Sequence, residues 1–224
     1  MTSRARTLAA AAPPAPAKLR RANSDDAARL ARLFAAAFAR DPVFNWLARA
    51  RNARAEALQR FFFWVLRDRT IAHGETWMTA DGFAAAAWIP PFGGARQATW
   101  RDEMRLLPVI MGLTGLSRLA RGAAMARAME NAHPVEPYFY LAFVGVAPRF
   151  QGAGIGTALL EETLARVDAA GANAFLENSN PRNVRLYERL GFEVVQEIVA
   201  RHDAPPLQAM WRRARSARER KAEA

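Results

Sequence analysis

The chain has 224 residues, of which 51% are hydrophobic and 24% charged, and its formal net charge is +11. This size and composition are typical of one globular domain, and no apolar run approaches the roughly 20 residues of a membrane span. Because the chain has no cysteine, disulfides, thiolate metal sites and a cysteine nucleophile are excluded. Its three histidines are far apart and have no metal-ligand spacing. We therefore expect a cytoplasmic protein without a bound metal and without a membrane partner.

The excess of positive charge lies at the two ends of the chain. Residues 1–21 hold five basic and no acidic residues, and residues 212–224 hold six basic and two acidic ones. Only two of the eleven net charges remain for the body of the chain. A nucleic-acid partner is therefore not expected, because the basic surface that such a protein needs is missing from the body.

Composition also sets the predicted boundaries. Residues 1–17 combine a short alanine-rich run with three prolines, which predicts a disordered lead; a targeting peptide is the alternative. Residues 18–213 are the predicted domain, and residues 214–224 are a charged tail.

The first half of the domain alternates strands and helices. "KLRRA" (18–22) predicts a strand, and a helix then begins at an Asn23/Ser24 cap and ends at Asp41-Pro42. A second helix follows over residues 53–74. Asp81-Gly82 predicts the turn of a hairpin between two strands. Residues 92–137 then form a predicted helical insertion before the next strand.

The second half continues the alternation. The strand "YFYLAFVGV" (138–146) leads through a glycine turn to a helix over 156–170, closed by Gly171. "AFLEN" (174–178) predicts a strand and "PRNVRLYERL" (181–190) a short helix. Strands over 192–200 and near 207–211 complete the series. Strands that alternate with helices predict an α/β protein with a mixed sheet.

The glycine turn (residues 151–156) points to a phosphate ligand. It has three glycines at alternate positions, namely Gly152, Gly154 and Gly156. Helix N-termini carry unpaired N–H groups and partial positive charge, and glycine lets a ligand approach the backbone. A Walker loop would need a lysine before Thr157, and a dinucleotide fingerprint would need a glycine at Thr157 or Leu159. The turn therefore predicts a different pyrophosphate site, with Arg149 adding charge at its rim.

Two stretches together resemble a known family. "VGVAPRFQGAGIGTALL" and "FLENSNPRNVRLYERLGF", in this order and spacing, are similar to the two signature motifs of the GNAT superfamily of N-acetyltransferases. The likeness is strongest to its puromycin N-acetyltransferase-like branch and spans about residues 18 to 213. It implies an α/β fold of the α+β type. Its central, mixed, mostly antiparallel twisted sheet would have six or seven strands, splayed at the centre and flanked by helices. The helical insertion would lie between strands 3 and 4.

The resemblance also implies acetyl-CoA as the cosubstrate and no metal. The glycine turn would hold its pyrophosphate, and the pantetheine arm would pair with the strand ending at 146 like an additional strand. The implied acetyl-CoA-binding residues are Val144, Gly145, Val146, Arg149, Gln151, Gly152, Ala153, Gly154, Ile155, Gly156, Thr157 and Asn183.

Acetyl transfer to an amine requires a neutral amine, a polarised thioester carbonyl and a proton for the departing thiolate. The N–H group of Val146 is the predicted donor to the carbonyl. Asn183 and Tyr187 are four residues apart and are expected on one helix face. The resemblance implies that Tyr187 is the general acid; the alternative is a core tyrosine bonded to the backbone.

Glu177 is the carboxylate at the end of an apolar strand, and three roles stay open for it. It could be the general base, a contact for a cationic acceptor, or a cap of the following turn. His133 and Glu136 are weaker candidates that fit ordinary loop positions better.

The acceptor is the least constrained part. The insertion as a lid favours a small-molecule primary amine, and residues 44–46 and 61–64 are candidate pocket walls, although most of these aromatics suit the core. Alternatives are acetylation of a protein N-terminus or lysine, and a non-catalytic CoA-binding sensor or partner module. We expect a monomer or homodimer.

Overall fold

The computed structural model describes residues 18–49, 53–73, 75–91 and 100–215. The predicted lead (1–17) and most of the predicted charged tail lie outside the described residues. One mixed seven-stranded sheet has the order β1-β2-β3-β4-β5-β7-β6, and every neighbouring pair is antiparallel except the parallel pair β4–β5. The strands are Leu19–Arg21 (β1), Thr76–Thr79 (β2), Ala84–Ile89 (β3), Tyr138–Val146 (β4), Asn173–Asn178 (β5), Glu193–Ile198 (β6) and Leu207–Arg212 (β7). The predicted fold class is confirmed.

Helices cover both faces of this sheet. They are Ala27–Ala37 (α1), Pro42–Leu47 (α2), Arg54–Val65 (α3), Trp100–Thr114 (α4), Leu119–Ala132 (α5), Ile155–Ala169 (α6) and Val184–Arg189 (α7). Single turns precede α1 (Ser24–Asp26), α5 (Leu116–Arg118), the glycine turn (Pro148–Phe150) and α7 (Pro181–Asn183), and two more follow α3 (Leu66–Thr70 and Ile71–His73). Helices α4 and α5 lie between β3 and β4, as the predicted insertion requires.

Alternation along the strands separates the core into layers. Ala84, Ala86 and Leu176 face a cluster under α6 and α7. Side chains at the intervening positions face the opposite layer, where α1, α3 and α4 cover β2 to β4. On the remaining strands, α2 and α5 pack around Phe175. The insertion therefore supplies part of the core.

The first predicted helix differs from the observed one. α1 ends at Ala37, and a new helix, α2, begins at Pro42. Asp41 is its cap, because its Oδ1 accepts from the N–H groups of Val43 (2.9 Å) and Phe44 (3.0 Å). The Asp-Pro pair was interpreted only as a stop, whereas a capping aspartate followed by proline at the first helical position also starts a helix.

Strands β4 and β5 separate after a short paired segment. Their pairing covers Tyr138 to Tyr140 against 173–175, whereas β4 continues to 146 and β5 to 178. At the same point β4 has one extra residue relative to β3, since Leu141 pairs with Trp88 and Phe143 with Ala87. Such a bulge bends and twists a strand. We call the gap beyond these pairs the β4–β5 opening.

Candidate active site

The glycine turn presents an uninterrupted row of backbone donors. From Gly152 to Thr157, none of the six N–H groups makes a hydrogen bond of normal geometry to an acceptor in the described part of the chain. α6 has Gly154 as its cap residue, without a capping side chain. Six consecutive donors at the N-terminus of a 15-residue helix suit a pyrophosphate.

Two of the glycines keep the space above these donors open. Gly152 has φ +80° and Gly154 φ +79°, a conformation that residues with a side chain rarely adopt. A Cβ atom at either position would meet no protein atom within 4 Å. The turn therefore fits a bound phosphate group, and packing within the protein does not explain these two glycines.

We predict that Gly154→Ala will weaken acetyl-CoA binding about tenfold or more, because the Cβ strains the turn and enters the ligand's space. Gly171→Ala is the matched control, since Gly171 has φ +64° with equally empty surroundings, just beyond the end of α6. Both variants should lose about 1–2 kcal/mol of stability. Calorimetric titration with acetyl-CoA will measure the dissociation constant of each variant. Equal dissociation constants would contradict the assignment of the glycine turn as the pyrophosphate site.

Other predicted cosubstrate residues have identifiable positions. Gln151 donates from Nε2 to the Val146 carbonyl (3.1 Å), which ties the turn to the end of β4. The exposed Arg149 guanidinium lies 4.6 Å from the ring centres of both Phe83 and Phe150, at the rim of the turn. These contacts leave the positive charge of Arg149 beside the donors. Ala153 is exposed in the turn, while Ile155 packs on the core below it.

Glycines 145 and 156 are explained by packing. A Cβ on Gly145 would lie 2.7 Å from Cδ1 of Phe34, so this glycine lets α1 approach β4. A Cβ on Gly156 would lie 3.3 Å from Cγ2 of Val146, where α6 crosses the same strand. Val144 and Val146 pair with β3 on one side, while their other side borders the β4–β5 opening.

Tyr187 is buried on α7, in the cluster that also contains Leu176 and against which Val144 and Val146 pack. Burial raises the pKa of its phenol well above the ordinary value, and the negative charge of Asp41 adds to the effect. Its hydroxyl has no hydrogen-bond partner among the described residues, unlike the backbone-bonded core tyrosine considered as an alternative. Asn183 is exposed and ends the turn before α7, so the two side chains differ in burial although they were expected on one face.

Asp41 connects α2 to the end of β5. Its Oδ2 accepts a hydrogen bond from the hydroxyl of Ser179, just after β5, while its Oδ1 caps α2. Burial raises the pKa of the Asp41 carboxyl, and these hydrogen bonds oppose that rise. Since both oxygens have partners, Asp41 holds α2 against the end of β5.

Glu177 lies two residues beyond the last β4–β5 pair, and its side chain is only 2% exposed. Its Oε1 is 2.9 Å from Nε2 of His133, and the Tyr140 hydroxyl also bonds to it. Nδ1 of His133 lies 2.6 Å from the hydroxyl of Tyr138. A buried carboxylate with two donors at the β4–β5 opening can accept a proton from an ammonium group or bind it.

His133 is the residue that sequence reasoning undervalued. It was assigned to a loop, yet the structure brings it together with Glu177, 44 positions away. Glu136, the other weak candidate, is exposed. The available signal was a histidine at the end of a predicted helix, shortly before two tyrosines at alternate strand positions.

The insertion is attached to α2 and to the β6–β7 connection. Arg118 donates to the carbonyl groups of Asn45, Trp46 and Ala48 at the end of α2. Arg121 lies over the ring of Trp46 at 5.1 Å and bonds to Asp203 (3.0 Å) in the β6–β7 connection. α5 is thereby fixed to α2 on the sheet face that carries Glu177.

The predicted aromatic walls are mostly core. Phe44 and Phe62 are buried, and Phe61 packs edge-on against both of them. The other aromatics of these segments, Trp46, Phe61, Phe63 and Trp64, remain partly exposed, and Nε1 of Trp46 donates to Asp203 (3.2 Å). The resulting aromatic cluster holds α1, α2 and α3 on β4.

Two further observations bear on partners. Within the described ranges, no helix is long and apolar enough to cross a membrane. No group of three or more histidine, aspartate or glutamate side chains in that part of the chain is arranged to hold a metal ion.

The tyrosines predict a loss of stability in alkali. Burial, together with the charge of Glu177, raises the pKa of Tyr138 to about 12, and the pKa values of Tyr140 and Tyr187 are also raised. An unfolded tyrosine titrates near pH 10, so the folded state binds these protons more tightly. This stabilisation is complete below about pH 10 and is lost as the pH rises towards the folded values.

Urea unfolding at pH 9, 10 and 11 will therefore show a decreasing free energy of unfolding, with a slope of up to about 1.4 kcal/mol per pH unit for each tyrosine. Tyr187→Phe should make the slope shallower. If Tyr187→Phe and the wild type had equal slopes, burial would not raise the pKa of the Tyr187 phenol in the folded protein.

Comparisons with known proteins agree with this geometry. The model of the acetyltransferase (GNAT) family matches residues 36–192. A mycothiol acetyltransferase of Propionibacterium freudenreichii is 39% identical over 66 residues, which are 28% of this chain and about a fifth (21%) of that protein. An uncharacterized N-acetyltransferase of Schizosaccharomyces pombe is 26% identical over 209 residues, covering 86% of this chain and 82% of its own.

Solved structures share the fold. A histone acetyltransferase HPA2 and related acetyltransferase from Corynebacterium glutamicum has a TM-score of 0.66 at 22% identity, over 90% of this chain and 98% of its own. Arylalkylamine N-acetyltransferase 2 from Aedes aegypti has a TM-score of 0.59 at 14% identity, over 88% of this chain and 99% of its own. A polyamine N-acetyltransferase of Drosophila melanogaster that forms N-acetylagmatine has a TM-score of 0.55 at 16% identity, over 88% of this chain and 99% of its own.

Proposed function

Because the chain belongs to the acetyltransferase (GNAT) family, we propose that it transfers the acetyl group of acetyl-CoA to the primary amine of a small molecule. The transfer would occur by direct attack of the amine within a ternary complex. The observation that carries this proposal is the β4–β5 opening: β4 leads from it to the open row of donors, and the buried carboxylate of Glu177 lies just beyond the last β4–β5 pair.

The cosubstrate fits the residues present. The N–H groups of residues 152–157 would hold its pyrophosphate, with Arg149 at the rim, and the uncovered side of β4 would pair with the pantetheine arm. Asn183, exposed before α7, would contact the arm or its water. Acetyl-CoA supplies an acetyl thioester, which is the electrophile. The residues of this chain supply orientation and the two proton transfers.

Each proton transfer has a candidate residue. Glu177 would accept the proton of the acceptor ammonium group, as a carboxylate bonded to His133 and Tyr140. Tyr187 would donate the proton that the departing thiolate needs, since its raised pKa keeps the phenol protonated at neutral pH. The N–H group of Val146 would donate to the carbonyl oxygen as negative charge develops there.

A small amine is the proposed acceptor because the insertion is fixed over the acceptor side. Arg118 and Arg121 tie the start of α5 to α2 and to the β6–β7 connection, and an insertion fixed there would cover the acceptor instead of leaving an open groove for a protein tail. Two of the structural neighbours are named for small amines, an arylalkylamine enzyme and a polyamine enzyme. The resemblance to puromycin N-acetyltransferases raises the question whether the physiological role is antibiotic resistance or metabolism. The identity of the amine would decide it.

An acceptor panel tests this proposal. Thiol release from acetyl-CoA would be measured with puromycin, spermidine, agmatine, tryptamine and peptides with free N-termini or lysines. We expect amine-dependent release with at least one small amine and little with the peptides. Preference for a peptide would replace the small-molecule acceptor, and acetyl-CoA binding without release would indicate a binding module.

A further inference from the structure

We propose that Tyr138 and His133 form a hydrogen-bonded chain that positions Glu177. This inference rests on the proposed role of Glu177 as the base. His133 and Tyr138 act through Glu177 and are therefore positioning residues. The chain runs from the hydroxyl of Tyr138 through both ring nitrogens of His133 to Oε1 of Glu177.

The ring of His133 is held in one orientation. Its centre lies 5.2 Å from the rings of Tyr140 and Phe175 and 5.9 Å from that of Tyr138. Its backbone N–H donates to the Glu130 carbonyl at the end of α5. A histidine packed against three aromatic rings, with both nitrogens bonded, has a fixed direction, which is not the behaviour of an ordinary loop residue.

The partners determine which nitrogen carries the proton. An ionised Glu177 can only accept a hydrogen bond, so Nε2 of His133 must carry a proton, and in the neutral ring Nδ1 is left to accept from the Tyr138 hydroxyl. Nδ1 is then the acceptor, and Nε2 carries the proton of the neutral ring. Nε2–H donates to Glu177, which is the interaction that stabilises a carboxylate.

Glu177 needs this support because its side chain is almost completely buried. A carboxylate with 2% exposure loses its hydration, so protein groups must supply its hydrogen bonds. The donors in the structure are Nε2–H of His133 and the hydroxyl of Tyr140. Without His133, one donor to Oε1 is lost and the carboxylate also gains freedom to rotate. The insertion thus completes the site, since His133 directly follows α5.

Nuclear magnetic resonance of protein labelled with ¹⁵N-histidine tests the chain without any acceptor. We expect His133, assigned by comparison with His133→Gln, to show the neutral Nε2–H tautomer at pH 7.5, with a slowly exchanging proton. Tyr138→Phe should shift the Nδ1 signal and speed that exchange. An Nδ1–H tautomer, or a rapidly averaged signal, would overturn the proposal.

Kinetics provide the second readout, with the most active amine of the panel. His133→Phe keeps a ring but removes the donor, so kcat should fall about 10- to 100-fold with the KM of acetyl-CoA unchanged. The pH profile of kcat/KM should also differ from that of the wild type. His133→Gln, whose amide can reach Glu177, should recover most of the activity; if His133→Phe does not fold, this variant and the pH profile of Tyr138→Phe replace it.

The outcomes distinguish this inference from the proposed function. A slow Glu177→Gln variant beside a His133→Phe variant with wild-type rate and pH profile would overturn only the positioning chain. If Glu177→Gln reacted at the wild-type rate, Glu177 would not be the base, and the positioning chain would have no catalytic function. If no amine is accepted, the proposed function fails, while the tautomer measurement still decides whether the chain exists.

Discussion

Tyr187→Phe is expected to lower kcat about 10²- to 10⁴-fold, which is the range for loss of a general acid. The phenylalanine ring fills the same buried site on α7, so the dissociation constant of acetyl-CoA should not change. The physical reason is that only the hydroxyl, which has no partner among the described residues, can supply a proton to the departing thiolate. Steady-state thiol release and calorimetric titration measure the two quantities.

Thr163→Val is the control for this experiment. It also removes a buried hydroxyl, but that of Thr163 donates to the Leu159 carbonyl of its own helix (2.9 Å) and has no link to the β4–β5 opening. Its kcat should equal that of the wild type. A Tyr187→Phe enzyme with full kcat would remove Tyr187 from the mechanism and leave it a core aromatic residue.

Glu177→Gln should lower kcat/KM for the amine about 10²- to 10³-fold, because the amide cannot accept a proton from the ammonium group. Glutamine has the same shape and can still accept from His133 and Tyr140, so the fold should be retained. Glu197→Gln, on the exposed strand β6, removes the same charge and should be neutral.

The kinetic pattern separates the roles that were open for Glu177. A fall in kcat would assign Glu177 the role of general base. A rise in the KM of the amine with kcat unchanged would assign an acceptor contact instead. Stability loss without either effect would leave Glu177 a structural residue.

The parts of the site that were predictable are local in sequence. The glycine turn needs only a strand, a helix and positive φ at Gly152 and Gly154, and each of these has a direct signal in the residues. Several strands were predictable in the same way, since short apolar runs and the Asp81-Gly82 turn mark them. The resemblance added the splayed sheet and the identity of the cosubstrate.

The parts that were not predictable depend on distant contacts. The bond between His133 and Glu177 joins the end of the insertion to β5, and only the sheet order brings the two together. The extra residue in β4 has no local signal either, because "YFYLAFVGV" is apolar on both sides of it. The bond between Asp41 and Ser179 has no local signal either, because the two residues are 138 positions apart.

Mass spectrometry of a single turnover tests the central claim, direct acetyl transfer from acetyl-CoA to a small amine, most directly. The protein would be mixed with labelled acetyl-CoA, sampled, and then given the most active amine of the panel. The account predicts no acetyl adduct on the protein before the amine is added, and afterwards equal amounts of acetylated amine and free CoA. An acetylated protein that forms before the amine, or no acetylated product with any small amine, would contradict it.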